Sequence, residues 1–113
     1  MNREVRDKWV AALRSGQYQQ AQRRLRTDEA YCCLGVLCDI SGLGEWKLWF
    51  KLRQRTHFAY NCGPDFNHLV LPDSVAAWAE VGPDPKAGTK FLSSENDGGK
   101  TFQEIADLIE LYL

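Results

Sequence analysis

A chain of 113 residues, 44% hydrophobic and 12% aromatic, is long enough for one domain with its own core and too short for two. No run nears the ~20 apolar residues of a membrane span; the longest apolar cluster, around Tyr31 to Leu37, is far shorter and includes Gly35. The net charge of −1 hides an uneven distribution: residues 1–60 carry eleven Lys/Arg against six Asp/Glu, and residues 61–113 three against nine.

That split allows an anionic partner on the first half, head-to-tail contact between copies, or neutralisation of one half by the other. Met1 to Arg6 is charged and amphipathic with no apolar leader after it, so the expected location is the cytosol. There Cys32, Cys33 and Cys38, inside an apolar run, read as reduced and buried thiols, while Cys62 lies in a polar, turn-rich stretch.

Arg3 to Ser15 reads as a helix, with Val5, Trp9, Ala12 and Leu13 on one face and Gly16 as its stop. Gln17 to Arg26 is polar and fits either a short helix or an irregular connector. A second helix is expected from a cap at Thr27 or Asp28 to about Ser41, apolar nearly all round and therefore central. Gly35 in its middle costs ~1 kcal/mol relative to alanine, which predicts close approach of another backbone. Trp46 to Leu52 alternates as a half-buried strand, with Trp46, Leu48, Phe50 and Leu52 on one side. Thr56, Phe58 and Tyr60 repeat the pattern, which suggests a hairpin around Arg53-Gln54-Arg55 without an Asn-Gly turn to pin it. Phe66 to Leu71 suggests a third strand, Pro72 to Val81 a helix, and Thr89 to Leu92 a short extended piece. Asn96 to Gly99 reads as a turn, and Thr101 to Glu104 as the capping box of a last helix with Phe102, Ile105, Ala106 and Ile109 as core stripe.

Chemistry-bearing residues are sparse. Cys33 and Cys38, five apart on a helix, are separated by about 500° of rotation and do not share a face for a metal. His57 and Cys62 fall on opposite sides of a strand, and Gly42 to Trp46 lacks the glycines and following helix of a phosphate cradle. No metal and no cofactor are expected. The cationic residues are more informative. On a regular strand Lys47, Trp49, Lys51 and Arg53 share the outer surface, with Arg55 and His57 opposite and Arg23, Arg24 and Arg26 adding charge from the preceding connector. An aromatic ring among such groups suits a nucleotide, a nucleic-acid backbone or an acidic protein surface. The bland alternative is a solvated sheet face whose lysines guard an edge, which leaves Trp49 unexplained.

Trp9 to Gly16, then Tyr18, Gln20, Leu25-Arg26 and Tyr31 to Asp39 resemble a set of small phage and prophage proteins. Leu71-Pro72-Asp73, Trp78, Asn96-Asp97 and Lys100 to Ile109 continue the match, while residues 45–68 are largely uncovered. The resemblance implies a phage setting, hence a host bacterial cytosol, and brings no mechanism. Small non-enzymatic phage proteins often block host defences, anti-CRISPR proteins and sponges for nucleotide signals among them. Within the matched segments Tyr18, Gln20 and Arg26 lack an obvious core role.

The expectation is therefore an α+β fold, a small single domain over residues 1–113 with about four helices packed on a short antiparallel sheet or hairpin. Its expected role is a non-enzymatic binding protein that blocks a host defence protein or sequesters an anionic nucleotide. Direct nucleic-acid binding is less favoured. The contact set is Tyr18, Gln20, Arg23, Arg24, Arg26, Lys47, Trp49, Lys51 and Arg53. Leu108, Leu111 and Leu113 are the candidate interface of a homodimer. Two alternatives are a small hydrolase using Asp39 or Asp97 with His57, and an interaction module docking through its last helix.

Overall fold

The computed structural model describes residues 1–113 and opens with helix α1 (Arg3–Arg14). Asn2 caps it by accepting the Val5 amide at 3.0 Å, and Val5, Trp9, Val10 and Leu13 are buried. The Trp9 indole has no exposed surface, and its N–H donates to the Cys33 carbonyl at 2.9 Å.

The ambiguous connector and the start of the expected second helix are extended instead. They form β1 (Gln19–Gln20), β2 (Arg26–Thr27) and β3 (Ala30–Tyr31). The reason is tertiary. Asp28 turns the chain in the left-handed region (φ 52°), its amide donates to the Thr56 carbonyl at 2.7 Å, and its carboxylate accepts the Thr56 amide at 2.9 Å. These bonds tie the segment to a strand that local propensity cannot see. Helix α2 (Cys33–Ser41) therefore starts later than expected, capped by the Cys32 sulfur, which accepts the Gly35 amide. Gly35 does meet another backbone: a β-carbon there would collide with the Leu25 carbonyl.

The expected hairpin is present as β4 (Glu45–Leu52) and β5 (Arg55–Cys62), and Arg53 and Gln54 make its turn with positive φ. β6 (Asp65–Asn67) pairs with β5 beyond β2. The sheet runs β1-β3-β2-β5-β4, antiparallel except where β1 meets β3. Helix α3 (Asp73–Ala79), the hairpin β7 (Lys86–Ala87) and β8 (Lys90–Phe91), α4 (Leu92–Asp97) and α5 (Phe102–Tyr112) complete the chain. Asn96 and Asp97 thus end a fifth, unexpected helix, and only Gly98 and Gly99 lie beyond it. The capping box of α5 forms, with Thr101 and Glu104 bonded reciprocally at 3.2 and 3.1 Å.

The core joins α1, α2, α3 and α5 to Leu25, Tyr60 and Leu71. The fold is α+β with five helices. No helix is long and apolar enough to cross a membrane.

Candidate functional site

A bulge decides the chemistry of the hairpin. Leu48 is opposite Phe58 and Phe50 is opposite His57, so Trp49 is an extra residue with no partner on β5. Side chains alternate along β5. Residues before and after the bulge therefore reach opposite faces relative to a regular strand. Trp46 and Leu48 lie with Tyr60 and Phe58 on one face, and Lys51, opposite Thr56, joins them. Lys47 lies with Ala59 on the other face, together with Phe50, opposite His57, and Leu52, opposite Arg55.

This corrects the expected contact surface. Lys47 and Lys51 do not share a face, and Arg53 sits in the tip of the hairpin. The regular alternation assumed for Trp46 to Leu52 cannot reveal a bulge, because Trp49 and Phe50 are both large aromatics.

The Trp49 face is an aromatic strip edged by cations. Trp49 stacks on His68 with centroids 5.2 Å apart and leans on Phe66 at 5.4 Å. Phe50 stacks on His57 at 4.5 Å and meets His68 edge-on at 6.5 Å. The Arg24 guanidinium lies over Phe50 at 4.9 Å and is 3.1 Å from His68 Nδ1. Arginine has no acceptor, so this His68 nitrogen accepts and carries no proton. Burial first and the Arg24 charge second hold both imidazoles below the usual histidine pKa, and His57 adds to the effect on His68. Trp49 and Phe66 keep 45% and 46% of their surface in water, and no cavity is lined by either.

On the Trp46 face, Arg26 has a structural role. Its guanidinium lies over Phe58, Tyr31 and Trp46 at 4.2, 5.3 and 5.7 Å, and its Nε donates to the Asp28 carbonyl at 2.8 Å. Tyr18 and Gln20 are structural too. The Tyr18 hydroxyl donates to Asp39 at 2.6 Å, and burial first, then this bond, raises the phenol's pKa. The Gln20 amide donates to the Asn96 side-chain oxygen at 2.9 Å and to the Lys100 carbonyl at 2.7 Å. Asn96, wholly buried, also accepts the Cys33 amide and donates to the Ala21 carbonyl. Arg23 lies elsewhere, with its own amide on the Asp97 carboxylate.

Of the candidate contact residues, then, the fold gathers Arg24, Lys47 and Trp49. Sequence reasoning missed Phe66 and His68, which arrive from β6 and the loop after it and carry no local signal. For the hydrolase alternative, Asp39 is engaged by Tyr18 and Trp46, Asp97 by Arg23, and His57 by Thr27. These three groups do not share a hydrogen-bonded constellation. Nor do the three leucines share one surface: Leu108 and Leu113 pack on the core, and Leu111 is 73% exposed.

The charge split is only narrowly closed inside the fold. Of seven ion pairs, the two made by Arg14 with Asp107 and Glu110 are the ones that join the basic half to the acidic half. Arg24, Arg26, Lys47, Lys51 and Arg53 make none.

No curated protein and no solved structure matched the chain. A family model matched it from end to end, over residues 1–113: the chain belongs to the family described as Domain of unknown function (DUF8296).

Proposed function

We propose that the chain is a non-enzymatic accessory binding protein of phage type, and that its Trp49 face docks on an acidic surface of a host protein. The phage setting and a defence protein as target rest on the sequence resemblance. The docking face rests on one observation: a half-exposed indole, held flat by an imidazole that accepts from Arg24, with Lys47 on the same face and no internal carboxylate paired to either cation. Interfaces concentrate energy in such aromatic and arginine anchors. Unpaired cations around them steer an acidic partner. The absence of a cavity at Trp49 favours a flat macromolecular partner over a captured small molecule, since small ligands take concave sites.

The test is affinity capture from bacterial lysate by the wild type and Trp49→Ala in parallel, at about 50 and about 500 mM salt. A host protein retained by the wild type at low salt, and lost with either the variant or the salt, is the expected outcome. Equal retention by both chains contradicts the proposal, and nuclease-sensitive retention assigns the face to nucleic acid instead.

A further inference from the structure

Three cavities open on the surface, and two of them carry a carboxylate. Glu95 lines the one between β7–β8 and α5, and Asp97 the one beside Gly98 and Gly99. The third, of about 330 Å³, has no acidic residue in its lining. Its floor follows from register. Ala30, Thr27 and His57 are direct neighbours across β3, β2 and β5, so two short side chains sit in a row beside an imidazole and leave a trough. Gln22 and Arg55 also line it.

His57, Arg55 and Gln22 can each offer a donor to this trough, whereas the Gln20 amide that also lines it is already spent on Asn96 and Lys100. The Thr27 hydroxyl is 3.2 Å from His57 Nδ1; when it donates there, the imidazole keeps its hydrogen on Nε2 for another acceptor. The Arg55 guanidinium is 70% exposed and only 4.0 Å from its nearest carboxylate, Asp28, whose other oxygen is held by the Thr56 amide. It retains most of its capacity for an incoming oxyanion. Gln22 adds an amide that can pair with the edge of a heterocycle.

We infer that this trough binds a phosphate monoester of nucleotide size. The phosphate meets Arg55, and the rest of the ligand lies on the Ala30–Thr27 floor beside His57. The volume falls at the small end of ligand sites, enough for one nucleotide and too little for a folded partner. The trough lies on the same side of the sheet as the docking residues but has a different lining: Arg24, Lys47, Trp49 and Phe66 do not line it. His57 is the link between them, because it also stacks on Phe50.

Calorimetric titration of the purified protein with each of the four common nucleoside monophosphates tests this, with inorganic phosphate and the matching nucleoside as separate arms. Expected is saturation by at least one nucleotide with a Kd below about 1 mM, and binding of each half at least about tenfold weaker. Arg55→Gln weakens the nucleotide by about tenfold or more, and Ala30→Leu, which fills the floor, removes binding. Trp49→Ala leaves it unchanged. No saturable binding at about 5 mM of any nucleotide overturns the inference. So does inorganic phosphate binding as tightly as the nucleotide, or a nucleotide affinity that survives both Arg55→Gln and Ala30→Leu.

Discussion

Trp49 lies flat on His68, with ring planes 25° from parallel, and His68 in turn takes a hydrogen bond from Arg24. An indole thus supported presents its other side to water in one orientation. It loses little side-chain freedom when a partner covers it, which is what makes a rigid aromatic an effective anchor.

Trp49→Ala should separate binding from folding. Truncating a central aromatic anchor costs about 2 kcal/mol or more of binding, roughly thirtyfold in affinity. Because the ring is half in water, the same change should cost about 1 kcal/mol or less of stability. Titration of the captured partner and urea unfolding of the isolated chain measure the two effects.

Charge reversal should discriminate the two lysines of β4. Lys47→Glu should weaken the partner and flatten its salt dependence, whereas Lys51→Glu should change neither by more than about twofold. The difference comes only from the bulge, since a regular strand would put both on one side. Equal effects in a salt series would place the contact surface at the hairpin tip instead.

Acid should destabilise the fold through the two imidazoles. An unfolded histidine takes up its proton near pH 6.5, whereas burial and Arg24 hold the folded His57 and His68 to lower values. In that window the unfolded chain binds more protons, so stability falls as the pH drops below about 6.5 and is fully present above it. Protonation of His68 at Nδ1 also removes the acceptor of the Arg24 bond. Urea midpoints between about pH 7 and about pH 5 should fall more steeply for the wild type than for His68→Gln; parallel slopes would assign the acid sensitivity elsewhere.

Two residues of the matched segments should prove structural. Asn96→Ala leaves the Gln20 amide, the Cys33 amide and the Ala21 carbonyl short of a partner, at about 1–3 kcal/mol for each group left buried and unsatisfied. Gly35→Ala drives a methyl into the Leu25 carbonyl and should prevent folding altogether. Circular dichroism and thermal unfolding report both.

Much of the frame was legible because its signals are local. The α1 and α5 stripes and the capping box at Thr101 and Glu104 each lie within one element, and the hairpin itself, though not the faces of its first strand, followed from the extended patterns on either side of Arg53-Gln54-Arg55. Even the close approach at Gly35 followed from a glycine placed where a helix would not choose one. The rest is long-range. The Asp28–Thr56 bonds turn an expected helical start into strands, and Asn96 reaches back to Gln20 and Ala21. The Trp49 bulge is silent in the sequence, and with it the partition of the cations between two faces. His68 meets Arg24 across 44 residues of chain.

The most direct test of docking through the Trp49 face is photo-crosslinking in host lysate with p-benzoylphenylalanine in place of Phe66 or of Leu48. Phe66 lies against Trp49, and Leu48, 57% exposed, lies on the opposite face of the same ribbon. A single host protein crosslinked from position 66 and absent from position 48 is the predicted result. Crosslinks from position 48 alone, or none from either position, would contradict it.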